Sequence, residues 1–163
     1  MKKNIIGKRG IIAFLFIGGC TCPEQQQNES LFQPQISFFD SLVDPWVNMW
    51  NTYDLSLVDS LFAADSNITY FSSEKEGLIT GIEAVRKHHE GFGFVKGGKK
   101  MNTKLWAADL TGNTREHTII ISGIWYFQKE SDSLKVQKGP FTAVYVPIGK
   151  KYKIAHMHFA SYK

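Results

Sequence analysis

The chain has 163 residues, 43% of them hydrophobic, with 12 Phe, 6 Tyr and 4 Trp, which suits one domain with a substantial core. Its formal charge of +4 is an end effect: Lys2, Lys3, Lys8 and Arg9 lie in residues 1–19, which hold no acid, and the remainder is neutral. Neutrality removes the electrostatic footprint of a nucleic-acid binder, and a cysteine count of two leaves no room for a disulfide framework.

Residues 1–19 read as a secretion signal, a positive segment followed by the short apolar run Ile11 to Ile17, too short to span a bilayer. The run ends in Ile17-Gly18-Gly19-Cys20, which resembles a bacterial lipobox. The resemblance implies acylation of Cys20, an anchor in a membrane of the cell envelope, and exposure outside the cytoplasm. Cys22 is then left without an intramolecular partner; a metal-binding Cys-x-Cys is the alternative use of the pair. Residues 20–35 are rich in Pro, Gln, Glu and Asn and read as a flexible spacer.

From Ile36 the pattern becomes periodic, and residues 36–163 are expected to form a single domain. Phe39, Leu42, Val43, Trp46, Val47, Trp50 and Tyr53 recur at spacings of three and four, which predicts a helix. Pro45 is expected to kink or restart it. Ser56 to Ala63 predicts a second helix capped by Ser56-x-x-Asp59. Two short strands follow, Asn67 to Ser72 and Gly77 to Thr80, and then a capping box at Thr80 to Glu83 opening a third helix. Its buried face is expected to hold Ile82, Val85, His89 and Phe92. Lys96 to Lys100 is a basic loop.

After Met101 the period becomes two. Thr103 to Asp109, Glu116 to Lys129, Leu134 to Pro147 and Lys151 to Tyr162 read as a meander, with Leu110 to Thr114 as a turn. Ile119, Ile121, Trp125 and Phe127 share one face of a strand, and Ile120, Ile124 and Tyr126 share the other. An antiparallel sheet wet on one side alternates apolar with polar, so apolar residues on both faces imply that both are covered. Helices cover one face; a second copy of the chain is the simplest cover for the other, which predicts a homodimer through the sheet.

Charge is unevenly placed: acids dominate residues 20–95 and bases residues 96–163. That pattern serves either attraction within one fold or a basic rim that draws anions. His156 and His158 lie two apart on the last strand and are expected on one side with Ile154 and Ala160. They can line a cavity passively, bind a ligand, act as acid and base, or join His88 or His89 around a metal. Trp50, Tyr53, Tyr70, His89, Trp106 and Tyr145 are candidate ligand-binding residues, in an aromatic cavity that Trp46 and Trp125 could share; plain core is the alternative role. No Gly-rich phosphate loop is present, and neither a cofactor nor a metal is expected.

Three helices, a strand pair before the third, and a long antiparallel meander resemble the nuclear transport factor 2-like superfamily. The stretches that carry the likeness are Trp50-Asn51-Thr52-Tyr53-Asp54, Leu61 to Asp65, Gly81 to Arg86, and Tyr152 to His158. Their texture is similar to the SnoaL-like branch and to calcium/calmodulin-dependent kinase association domains. The resemblance implies an α+β cone-shaped barrel, with three N-terminal helices on a curved, mostly antiparallel sheet and a pocket between them. Steroid-isomerase-like members use buried carboxylates, whereas the strands here offer only Asp109, Glu116, Glu130 and Asp132, mostly near strand ends. An Asp-plus-His arrangement using Asp54 stays open. The expected function is a membrane-tethered small-molecule-binding domain. The alternatives are an isomerase, dehydratase or hydrolase with His156 or His158 as base and Tyr70 or Tyr145 at an oxyanion, or a non-catalytic dimerisation module.

Overall fold

The computed structural model describes residues 32–132 and 134–162. The expected signal peptide, the lipidated Cys20 and most of the expected spacer lie outside the described residues. No helix among the described residues is long and apolar enough to cross a membrane. The elements are α1 (Phe32–Thr52), α2 (Leu55–Leu61), β1 (Thr69–Ser72), β2 (Lys75–Thr80), α3 (Ile82–Gly91), β3 (Thr103–Arg115), β4 (Thr118–Lys129), β5 (Val136–Ile148) and β6 (Lys151–Phe159). The six strands form one sheet in the order β2-β1-β6-β5-β4-β3, antiparallel except for β1 beside β6. The sheet is open, with β2 and β3 as its edges, and the three helices pack on it, the α+β arrangement of N-terminal helices on a mostly antiparallel sheet that was expected.

Helix α1 begins at Phe32, earlier than the expected domain start, and continues through Pro45 unbroken. Its buried residues Val43, Trp46 and Met49 repeat at three, the stripe that faces the sheet. Tyr53, at φ +53°, ends the helix in the left-handed region. Asp54, not Ser56, caps α2: its Oδ1 accepts from the Ser56 and Gly97 backbone N–H groups, each at 2.9 Å. Gly81 takes the N-cap position of α3 at φ +86° with no side-chain cap, so the expected Thr80 capping box is absent.

Strand β3 runs on through the expected turn at Leu110 to Thr114. A bulge at Asp109 and Leu110, with Asp109 at φ +55°, absorbs the irregularity, and pairing with β4 resumes at Thr111. Gly112 belongs to packing rather than to a turn, since a Cβ there would fall 2.5 Å from the Phe39 ring. As expected, β4 and β5 alternate cleanly, with Ile119, Ile121, Trp125, Phe141, Ala143 and Tyr145 all buried.

Strand β6 departs from the sequence reading. Val144 pairs with His156 and Tyr145 with Ile154, which leaves Ala155 unpaired as a bulge. The bulge reverses the alternation. Ile154, Met157 and Phe159 are buried, whereas His158 is exposed and His156 half-buried. It falls where β6 changes partner. The Ala63 N–H donates to the Ile154 carbonyl at 2.9 Å, and β1 takes over at His156.

Two polar residues tie the layers together. Asn51 meets the free edge of β3 as a strand would: its Nδ2 donates to the Leu105 carbonyl at 2.9 Å, and its Oδ1 accepts the Leu105 N–H at 2.7 Å. This gives a structural role to the Trp50-Asn51 stretch. His89 is fully buried against Trp50, Phe62, Tyr70 and Phe94. Its Nδ1 lies 2.8 Å from the Val85 carbonyl, which can only accept, so Nδ1 carries the proton. Burial lowers the pKa of His89 to about 4.

Asn51→Ala strips both partners from Leu105, and denaturant unfolding should show a loss of about 1–3 kcal/mol. His89 supplies a pH signature. Below about 6.5 the unfolded chain takes up a proton that the folded imidazole refuses until about pH 4. Stability should therefore fall as pH drops through that window, by up to about 3 kcal/mol at its lower end. His89→Met should flatten this dependence in unfolding curves recorded between pH 4 and pH 7.

Candidate functional site

A cavity of about 520 Å³ opens between the C-terminal half of α1, the α3–β3 loop and the inner face of the sheet. That volume lies in the range of small-molecule sites. Its wall is built by several elements. Helix α1 supplies Trp46, Trp50 and Tyr53, about one turn apart. Strand β4 supplies Trp125 and Phe127, two apart on one face, and β6 supplies Phe159. Tyr70 from β1 and Phe92 after α3 complete the aromatic lining. Trp46 stacks on Phe141 and Phe159 at centroid distances of 5.5 and 5.2 Å. Trp50 packs edge-on to Phe92 and Phe94. These stacks fix the ring planes, so the wall is pre-organised.

The mouth is polar and comes from turns and strand ends: Ser73 and Glu74 between β1 and β2, Asn102 before β3, and Lys129, Ser131 and Gln137 at the β4–β5 connection. Lys99 sets its ammonium 5.8 Å from the Tyr53 ring centroid.

The polar groups of the wall lack partners. The Trp46 and Trp50 indole N–H groups and the Thr103 hydroxyl are buried and make no hydrogen bond. An indole N–H can only donate. Burial raises the pKa of the Tyr70 phenol, so it remains a protonated donor at neutral pH. The residues around the cavity therefore include buried donors without a protein partner. Glu74, the carboxylate of the lining, sits exposed at the mouth.

Among the candidate ligand-binding residues, Trp50, Tyr53 and Tyr70 line the cavity together, and His89 lies behind Trp50 and Tyr70 in the core. Trp106 lies on the outer face, stacked on Tyr126 at 5.1 Å and 6°. Tyr145 donates its hydroxyl to the Leu42 carbonyl at 3.0 Å and belongs to the core. The β6 bulge places His156 and His158 on the outer face as well, opposite to Ile154. His156 Nδ1 meets the Thr69 hydroxyl at 2.7 Å, and both rings lie edge-on to Phe71. Burial, with His158 nearby, lowers the pKa of His156. Asp54 serves as a cap, so an Asp54–His pair is not assembled. No group of three or more His, Cys, Asp or Glu side chains among the described residues is placed to hold a metal ion.

Phe127, Phe159, Leu105 and Met101 are cavity residues that sequence reasoning did not single out. Their signal was apolar alternation, which core residues share. The mouth residues lie in turns and carry no periodic signal.

No protein-family profile matches the chain. No curated protein matches it either. Solved structures do match. A nuclear transport factor 2-like superfamily protein from Salmonella enterica aligns with a TM-score of 0.64 at 14% identity, covering 80% of this chain and 93% of that one. A candidate ketosteroid isomerase from Parabacteroides distasonis aligns at 0.56 and 19% identity, covering 86% and 94%. The association domain of C. elegans CaMKII aligns at 0.59 and 16% identity, covering 80% and 95%. At these identities the likeness speaks of fold alone. Three N-terminal helices on a six-stranded, mostly antiparallel sheet, with these likenesses, give this chain the nuclear transport factor 2-like fold.

Proposed function

We propose that this domain is a small-molecule-binding module whose ligand is a mostly apolar molecule bearing a hydrogen-bond acceptor. One observation carries the reading: an aromatic-walled cavity of about 520 Å³ is lined by residues whose buried polar groups no protein group satisfies. Buried polar groups are nearly always paired, so a cluster of orphans around one cavity is the mark of a site completed from outside. The leader and the Ile17 to Cys20 ending support a version tethered by acyl chains to a membrane of the bacterial envelope. The histidine-based enzyme reading has less support, because His156 and His158 lie on the face away from the cavity.

A homodimer through the sheet belongs to the same proposal. Phe71 and Ile120 on the outer face are 40% and 38% exposed, and Ile124, Tyr126, Val144 and Val146 lie between and beside them. Apolar side chains on a sheet face in water, here flanking His156 and His158, favour a cover, and a second copy offers a self-complementary one.

Thr103→Val should separate a binding site from mere core. Removing an unsatisfied hydroxyl at constant shape raises the unfolding midpoint of the ligand-free protein, by about 1 kcal/mol or more in free energy. It should also weaken any ligand that stabilises the parent in a thermal-shift screen of envelope metabolites. A destabilised variant with unchanged ligand shifts would contradict the reading. The double variant Ile120→Glu, Ile124→Glu should sediment as a monomer where the parent sediments as a dimer, with its cavity-dependent thermal shifts retained.

A further inference from the structure

We infer that the ligand carries an anionic group, held at the cavity mouth by Lys129 with the Thr103 hydroxyl beside it. This deepens the binding reading and rests on it. The inner face of β4 runs Trp125, Phe127, Lys129 at alternate positions, so the strand that walls the cavity with aromatic rings ends in an ammonium at its mouth. The register pairs Lys129 with Thr103, which places the two side chains on the same face as direct cross-strand neighbours. Both line the cavity. Neither is used by the fold. Lys129 makes no ion pair among the described residues, and the Thr103 hydroxyl is buried without a partner.

The surrounding charges leave this ammonium available. Lys135, in a depression adjoining the mouth, is neutralised by Asp132 at 3.2 Å. Glu74, from the β1–β2 turn, also lines the mouth, with no ion pair among the described residues. Its position there disfavours a second negative charge on its own side. The mouth thus takes a base from the end of β4 and an acid from the β1–β2 hairpin. An apolar guest with a carboxylate or similar anion lies along β4, its body against Trp125 and Phe127 and its charge at Lys129. An ammonium with a hydroxyl on the neighbouring strand position gives an oxyanion a charge-assisted contact, stronger than a neutral one.

Calorimetric titration of the full chain with three matched probes tests this: naphthylacetate, its methyl ester and naphthylmethylammonium. The ester keeps the carbonyl acceptor and loses the charge. The anion should bind about tenfold more tightly than the ester at low salt, and the cation more weakly than either. Lys129→Gln should bring the anion to the affinity of the ester and leave the ester within about twofold of its parent value. Lys104→Gln, on the outer face of the sheet with its ammonium 5.9 Å from the Trp106 ring centroid, should change neither. If anion and ester bind the parent alike, or if Lys129→Gln leaves the anion's advantage intact, this inference is overturned while the binding reading stands. If none of the probes binds, both fall.

Discussion

One unpaired residue in the last strand decides which side chains reach the interior. Ala155 has no partner on β5, and past it the alternation of β6 is reversed. Met157 and Phe159 turn inward and the two imidazoles turn out. Without the bulge the order would be the opposite, and two titratable rings would stand where Phe159 now stacks on Trp46. The bulge also has a local cause. Up to Ile154, β6 is bonded to the chain leaving α2; from His156 it is bonded to β1. A strand that changes neighbours along its length must change direction, and an inserted residue is the usual means.

The chemical character of the cavity follows from that geometry. With histidines excluded, its wall is aromatic and its polar atoms are two indole N–H groups, a threonine hydroxyl and a phenol held protonated by burial. Such a wall solvates an apolar body and gives hydrogen bonds to an acceptor. Interiors are ordinarily packed without voids, and buried donors are ordinarily satisfied. Here the packing rule lapses at the cavity, and three of the unpaired buried groups, on Trp46, Trp50 and Thr103, belong to residues that line it; the others are the Nε2 atoms of His88 and His89.

Much of the fold was legible in the sequence, and the failures share one physical cause. The faces of β4 and β5 were readable because nothing interrupts their period of two. The stripe on α1 was readable because Pro45 sits on its exposed side and leaves the helix continuous. What sequence periodicity cannot carry is an irregularity whose reason lies elsewhere in the chain. The bulge at Ala155 answers to Phe62 and β1; the run of β3 past Asp109 answers to Phe39, which needs Gly112 beneath it. Asp54 caps α2 with help from Gly97, far along the chain. For the same reason the cavity was legible only in part. Trp50, Tyr53 and Tyr70 could be named because they are aromatic, whereas the mouth comes from turns. Tyr145 and Trp106 are aromatic too, and only the register shows that one is tied to Leu42 and the other lies outside.

The most direct test of this account is the set of through-space proton contacts made by the end of β6 in solution. Aromatic protons of Phe159 should show nuclear Overhauser effects to the indole of Trp46, whose ring centroid lies 5.2 Å away, while the His158 ring should show them to Phe71. Contacts from the His156 or His158 ring to Trp46 or Trp125 would contradict it: the bulge would then be absent and the interior a different chemical surface.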